Sequence, residues 1–370
     1  MKFTCNQADL TKALNTVSKA VSSRTTIPTL KGILMDVKNN TLNLTASDMD
    51  ITIETSLDIE NGEDGSIVVP AKKFNEVIRK MPHDYINIST DELNININCL
   101  TSNSSILGSE ADEFPYIKTP EDEAEEIIFN RNIFSNMIKK TSFAASIDQT
   151  KGAITGVLVE LNPEELKMVA IDGFRMAVAT EDINNDKNES IIISARIMDE
   201  INKIITENER DNDSEIRILL DKKNANIYMD RTKISTRLIA GEFIKYKEII
   251  PKDFTTTLTV NKKQLTEAVE RASILSEVKN NLIKVSIKEN VMTITSRSEE
   301  GGAMEDLIIH KEGEDLDIGF NSRFLLNIMR VIDDEEIKME FNTSLSPCMI
   351  KQVNGYNYEY LILPVRISNL

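Results

Sequence analysis

Three stretches of the chain share one hydrophobic rhythm. Each begins with a short apolar run, reaches an Asn and continues as an amphipathic helix: FTCNQADLTKALNTVSKAV, IIFNRNIFSNMIKKTSF and LTVNKKQLTEAVERASIL. Asn6, Asn130 and Asn261 stand at helix starts, because an Asn side chain can accept one of the unpaired N–H groups of a first turn. Leu10, Ala13, Leu14 and Val17 recur at i, i+3, i+4 and i+7, as do Leu265, Ala268, Val269 and Ala272, so each helix carries one apolar stripe. A second motif follows later in each unit, an apolar strand running into a helix: IVVPAKKFNEVIRKM, IIISARIMDEINKII and DIGFNSRFLLNIMRVI. Ala71, Ala195 and Asn321 take matching places in these, 124 and 126 residues apart. Two independent markers at one period predict a threefold internal repeat.

Between the helices the period falls to two. ELNININC puts Leu93, Ile95, Ile97 and Cys99 on one face of a half-buried strand, and DITIETSL, EIRILLD, NANIYMD, LIKVSIKE, VMTITS and EIKMEFN behave alike. Each unit therefore predicts two helices and roughly eight short strands, with helices on one face of antiparallel sheet, an α+β class. The acidic, Pro-containing IKTPEDEAEE (117–126) and the stretch IIPKDFTTT (249–257) read as connectors. They divide the chain into domains at 1–126, 127–251 and 252–370.

Composition narrows the class. A chain of 370 residues, 41% hydrophobic and 28% charged, is that of a folded soluble protein of two or three domains. It has no apolar run of about eighteen residues to span a membrane, and MKFTCNQADL lacks the layout of a signal peptide. Cys5, Cys99 and Cys348 are odd in number and far apart, which suggests neither a disulfide frame nor a zinc site and fits a reducing cytoplasm.

The net charge of −17 argues at first against nucleic acid, but the charge is not evenly spread. The expected helices, 9–24, 71–81, 131–141, 195–205, 261–275 and 321–332, hold 17 basic and 6 acidic residues, a surplus of 11 that leaves −28 for the rest. Helix propensity does not explain this, since Glu forms helices as well as Lys does. If these helices share one surface, that surface attracts a polyanion through its phosphates without reading sequence. With no Trp and only 5% aromatic residues, contact with a duplex backbone is favoured over base stacking on single strands.

Catalytic patterns are absent from the sequence. His83 and His310 sit in loop-like or strand-end contexts without partners. IDGFR (171–175), with Asp172 beside Gly173, reads as a tight turn between strands. EEGGAM (299–304) lacks the strand-to-helix context of a phosphate loop, and EDEAEE (121–126) and DDEE (333–336) read as solvated loops. The residues thus leave a DNA-binding protein without catalysis, an acidic interaction scaffold whose basic helices face a protein partner and, behind both, an enzyme without a recognisable active site.

The ordered set of three similar units, VPAKKF, AIDGFRMAV and a C-terminal YLILPVRI resembles the bacterial sliding clamp family, the beta subunits of DNA polymerase III. The resemblance runs from MKFT to Ile367, essentially the whole chain. It implies three domains of the DNA clamp fold and a head-to-tail homodimer closed into a six-domain ring, with helices lining the hole. It also implies a non-catalytic processivity factor on duplex DNA, without cofactor, nucleotide or metal. The polymerase III alpha subunit, the clamp loader, other polymerases and repair proteins are implied to dock through short Gln- and Leu/Phe-containing peptides.

Site residues follow from the same resemblance. Arg24, Lys72, Gln149 and Lys151 match DNA-contacting positions, and Arg196 is the cation left in SAR, where the family often has a Pro as well. A peptide cleft between the second and third domains matches Ile154, Ile171, Gly173, Phe174, Arg175, Met176, Ile244, Leu345, Pro347, Ile362, Leu363, Pro364, Val365 and Arg366. Its apolar lining with a few polar groups suits a peptide. Within it Leu363 replaces a common Met, Phe174 a frequent His, and Ile244 and Glu248 fall where other members have Pro and Arg. The tail also runs three residues past Ile367. For the dimer seam, Lys73 and Ile106 match one side, and Ile274, Leu275, Glu299 and Glu300 the other.

Overall fold

The computed structural model describes residues 1–22, 25–115, 125–207, 214–277 and 279–367. The first repeat supplies β1 (Lys2–Asn6), α1 (Gln7–Ser18), β2 (Gly32–Lys38), β3 (Thr41–Ser47), β4 (Ile51–Asp58), β5 (Glu60–Glu63), β6 (Gly65–Pro70), α2 (Ala71–Lys80), β7 (Tyr85–Asp91), β8 (Asn94–Cys99) and β9 (Ser102–Leu107). The second supplies β10 (Glu125–Asn130), α3 (Arg131–Thr141), β11 (Gly156–Leu161), β12 (Glu165–Ile171), β13 (Arg175–Asp182), β14 (Glu189–Ser194), α4 (Ala195–Glu207), β15 (Glu215–Leu220), β16 (Asn224–Met229) and β17 (Thr232–Arg237). The third supplies β18 (Thr256–Asn261), α5 (Lys262–Ile274), β19 (Leu282–Lys288), β20 (Val291–Ser298), β21 (Gly301–Ile308), β22 (His310–Gly313), β23 (Leu316–Asn321), α6 (Ser322–Met329), β24 (Glu336–Phe341), β25 (Cys348–Gln352) and β26 (Tyr358–Ile362).

Helix starts follow the expected chemistry. Asn6 Oδ1 accepts from Ala8 N, Asn261 Oδ1 from Gln264 N and Asn321 Oδ1 from Arg323 N. Asn321 is thus a cap and not a first helical residue. The residue matching Ala71 and Ala195 is Ser322, and the second interval is 127 residues, one longer than the sequence markers gave. α1 also stops at Ser18, not at 24: Lys19, Ala20 and Val21 each donate to the residue three before, which tightens the last turn and ends the ladder. The alternation in β8 is as expected, with Ile95, Ile97 and Cys99 buried on one face, but Leu93 belongs to the preceding turn. The connector expected at 249–257 ends inside β18, while 117–124 lies outside the described residues.

The chain forms two compact units. One holds residues 1–131 and 203–238. Its five-stranded sheet runs β5-β1-β7-β8-β9 and its eight-stranded sheet β10-β15-β16-β17-β4-β3-β2-β6. Leu10, Leu14 and Val17 of α1, with Phe74 and Ile78 of α2, are buried in its core. The eight-stranded sheet is composite, because β17 of the second repeat pairs antiparallel with β4 of the first, Thr232↔Thr55 to Thr236↔Ile51.

The other unit holds residues 132–202 and 239–370. It has a nine-stranded sheet, β14-β11-β12-β13-β26-β25-β24-β18-β22, and a four-stranded one, β21-β20-β19-β23. Leu265, Ala268, Val269 and Ala272 bury the stripe of α5, as their spacing predicts. The large sheet repeats the composite plan, with β26 of the third repeat between its own β25 and β13 of the second, Arg175↔Ile362 to Ala179↔Tyr358. β9 is an outer strand of the five-stranded sheet of one unit, and β21 an outer strand of the four-stranded sheet of the other.

Two tyrosines of β26 test how this core is held. Tyr358 and Tyr360 stack with centroids 5.2 Å apart. Tyr358 Oη donates to Asp334 Oδ2 at 2.7 Å, whereas Tyr360 Oη is buried with no hydrogen-bond partner among the described residues. Tyr358→Phe is expected to cost about 1.5 kcal/mol by losing a bond to a carboxylate, and Tyr360→Phe less than about 0.5 kcal/mol. Urea denaturation of both variants checks the ranking, and the opposite order contradicts the hydrogen-bond assignment.

Candidate functional site

The site grows from the turn between β12 and β13. Asp172 Oδ1 accepts from the backbone N–H groups of Phe174 (2.8 Å) and Arg175 (3.0 Å), closing the turn expected of IDGFR. Gly173 has φ 95°, which favours glycine, and a Cβ there would meet nothing within 4 Å, so conformation and not space demands it. Arg175 is held by two hydrogen bonds and two rings. Its Nε donates to Asp172 Oδ2 at 2.9 Å and its Nη2 to the Phe143 carbonyl at 2.7 Å. The guanidinium lies 5.3 Å from the Phe143 ring and 4.6 Å from the Phe324 ring, and Phe324 stacks on Phe174 at 6.3 Å. Its Nη1 is buried without a hydrogen-bond partner among the described residues.

The C-terminal segment lies against this turn. Leu363 N donates to the Phe174 carbonyl and Val365 N to the Gly319 carbonyl, each at 2.8 Å. Ile171, Met176 and Leu361 join Leu158, Val178, Tyr246 and Met349 in one buried apolar cluster, against which Ala153, Phe243, Ile250 and Phe254 pack. Phe174 is 58% exposed, Leu345 and Leu363 are exposed, and Ile154, Pro347, Pro364 and Val365 are half-buried. Arg366 is exposed. An apolar floor with exposed apolar edges and a fixed guanidinium is suited to holding a short peptide.

Two expected wall residues are placed differently. Ile362 belongs to β26 and is fully buried, 0% exposed, because its pairing with both Arg175 and Cys348 keeps it inside the sheet. Ile244 is 41% exposed, while Phe243 and Tyr246 make the apolar contacts; the turn Tyr246–Glu248 directs Tyr246 inward and Glu248 outward.

Among the described residues, burial disfavours the thiolate forms of Cys5, in the other unit, and of Cys348, beside Ile362. Burial drives the Cys5 thiol up to about 12 and raises the Cys348 thiol strongly as well. Burial, and then the Glu160 carboxylate accepting its Oη at 2.6 Å, holds the Tyr246 phenol well above its ordinary value. Among the described residues no three His, Cys, Asp or Glu side chains gather as metal ligands.

Cations divide into engaged and open groups. Over the observed helix bounds there are 14 basic and seven acidic residues, so the helical surplus is seven and not eleven. The shorter α1 drops Lys19 and Arg24, the shorter α6 drops Arg330, and the longer α4 gains Glu207. Arg131 is buried against Asp230 at 3.0 Å, Lys19 meets Glu207 at 2.8 Å, and Lys139 meets Asp333 at 3.8 Å. Lys140 is buried over the Tyr358 ring. The DDEE segment is therefore more than a solvated loop, since Asp333 faces Lys139 and Asp334 accepts from Tyr358 and Gln352. His83 is likewise not alone: its Nδ1 lies 3.0 Å from Gln7 Oε1.

On α2, by contrast, Lys72, Lys73, Arg79 and Lys80 are all exposed, opposite the buried Ala71, Phe74 and Ile78. Gln149 and Lys151 are exposed in the short turn Gln149–Thr155, where Lys151 Nζ approaches the Asp172 carbonyl at 3.5 Å. Arg196 is exposed on α4, and Arg24 lies outside the described residues.

Comparison with known proteins decides the family. Models of the DNA polymerase III beta subunit match in order: its N-terminal domain over residues 1–118, its central domain over 129–245 and its C-terminal domain over 247–366. The chain belongs to the DNA polymerase III beta subunit family. It is 32% identical to the beta sliding clamp of Bacillus subtilis, over 99% of this chain and 100% of that protein. Solved relatives include a putative beta subunit from Eubacterium rectale (33% identity, TM-score 0.91) and the beta subunit of Thermotoga maritima (28%, TM-score 0.93). Each covers 99% of this chain and 100% of its own.

Of the residues that family resemblance gave for a seam, Ile106 lies on β9, and Ile274, Leu275, Glu299 and Glu300 lie at the end of α5, which packs on β21, or in the turn before β21. Ile106 is half-buried in β9, and Lys73 is exposed on α2. Ile274 ends α5 exposed, Leu275 caps it, and Glu299 and Glu300 form the turn into β21. Sequence reasoning missed Leu107 on β9 and, on β21, Met304 (69% exposed) and Ile308 (81%). It also missed Phe143, Phe324, Phe243 and Tyr246 around the turn and its cluster. Apolar side chains among the polar and Gly residues of SNSSIL and GGAMEDLI were the available signal for the first group. No periodicity marks the second, whose members meet only through the fold.

Proposed function

We infer that this protein is a non-catalytic DNA sliding clamp, a head-to-tail dimer that closes around duplex DNA and gives its polymerase processivity. The carrying observation is a missing pair. Successive repeats are joined by one kind of strand pairing, β17 on β4 and then β26 on β13. The third pairing of that series takes β9, which matches β17 and β26 in the repeat, and β21, which matches β4 and β13; each is an outer strand of its sheet. A second copy gives each edge the strand it lacks, and two equivalent seams, each joining unlike edges, close a dimer instead of an open filament. Leu107, Met304, Ile308 and Ile274 then form the apolar centre with Ile106 and Leu275, and Lys73 faces Glu299 and Glu300 at its margin. The three domains take the bounds 1–126, 127–251 and 252–370.

Charge supports the choice of DNA. The helices carry a surplus of seven while the rest of the chain carries −24. On α2, Lys72 and Arg79 lie about 10.5 Å apart along one stripe, with Lys73 and Lys80 on the next, a spacing suited to backbone phosphates. Lys72, Gln149, Lys151, Arg196 and Arg24 are the further contacts of this reading. Partner segments from the polymerase alpha subunit, the clamp loader and other polymerases or repair proteins dock between the Gly173–Met176 turn and Leu363–Arg366. Arg175 is the polar anchor of that dock. No helix among the described residues is long and apolar enough to cross a membrane, and the assigned place of action is the cytoplasm.

Two measurements follow. Met304→Glu with Ile308→Glu is expected to shift the sedimenting species from two chains to one, because charge at both positions opposes burial of the edge; an unchanged dimer rejects the β21 seam. Lys72→Glu with Arg79→Glu is expected to lower clamp-dependent primer extension with its own loader and polymerase while the dimer mass stays intact. Undiminished extension removes α2 from the DNA face.

A further inference from the structure

We propose that Gly319 is a positioning residue for the partner pocket, and that the missing Cβ at this position sets the path of the tail that forms the pocket wall. The inference rests on the peptide-docking reading above and adds to it a residue away from the Gly173–Met176 turn. Gly319 lies in the middle of β23, paired with Lys284 of β19, and is buried. On the other side of β23 the tail passes so close that Val365 N donates to the Gly319 carbonyl at 2.8 Å. A Cβ on Gly319 would stand 2.5 Å from the Val365 carbonyl oxygen and 3.0 Å from Ile367 Cγ1. The demand is for space, as expected where glycine in a strand lets another backbone approach.

Which partner yields is set by how each is held. β23 pairs along its length with β19, from Leu282↔Asn321 to Ile287↔Leu316, and runs directly into α6. Among the described residues, the tail beyond β26 is fixed by two backbone hydrogen bonds, Leu363 to Phe174 and Val365 to Gly319, with Pro364 between them offering no donor. An added methyl therefore displaces the tail and not the strand. Both anchors belong to one short segment, so a shift at Val365 is passed to Leu363 and to the edge it presents beside Phe174.

The test uses the full-length dimer and a fluorescently labelled synthetic peptide containing Gln, Leu and Phe, with affinity read by anisotropy. Gly319→Ala is expected to weaken binding about tenfold, as is Val365→Pro, which removes the same hydrogen bond from the tail side. Dimer mass should be unchanged in both. If the unaltered protein fails to bind the peptide, the docking reading itself falls. If it binds and both variants bind within twofold of it, the role given to Gly319 is overturned. Should Gly319→Ala not fold, Val365→Pro alone decides between these results.

Discussion

The pairing of β26 with β13 places the last strand of the chain beside a strand formed nearly two hundred residues earlier, inside a nine-stranded sheet. A strand in the middle of a sheet must satisfy both of its backbone edges, and β26 does so with two different repeats. Its side chains then have little freedom: Tyr358, Tyr360, Leu361 and Ile362 are all buried. The same device joins β17 to β4 in the other unit. Each composite sheet buries one repeat's edge against the next, which removes the hazard an exposed strand presents. The matching strands that lack such a partner, β9 and β21, carry exposed Leu107, Met304 and Ile308, a costly choice for a chain that does not cover them.

The pocket follows from that join. Arg175 is the first residue of β13 and is paired with Ile362, the last of β26, so the turn before one strand and the tail after the other leave the sheet at the same place. Asp172 fixes the turn, the Phe143 and Phe324 rings hold the guanidinium, and the tail is tied down at Phe174 and Gly319. A rigid frame of this kind lowers the ordering cost of capturing a flexible peptide. Chemistry other than binding is not favoured here, because burial keeps the nearby Cys348 thiol and Tyr246 phenol protonated.

Much of the fold was legible because its signals are local. Asn caps, apolar stripes and the period-two run of Ile95, Ile97 and Cys99 each need only a few neighbouring residues to be read. Features set by distant contacts were not. The end of α1 depends on how its last turn tightens, and Ile362 reads as part of the cleft lining until β13 pairs with it. Phe243 and Tyr246, not Ile244, face the apolar cluster because a short turn chooses the side. Asp333 and Asp334 resemble a solvated acidic loop until Lys139, Tyr358 and Gln352 reach them. The charge skew pointed in the right direction but was overstated, since Lys19 and Arg330 lie beyond the helix ends and Glu207 lies within one.

Closure around DNA is the claim that distinguishes a clamp from an acidic scaffold with a basic face. It is tested by loading the protein onto nicked circular DNA with its clamp loader and ATP, raising the salt, and measuring retention before and after a single restriction cut. Screening at high salt removes purely electrostatic binding. A closed dimer remains on the circle and is lost once the DNA is linear. Retention on both forms, or loss from both, would contradict the account.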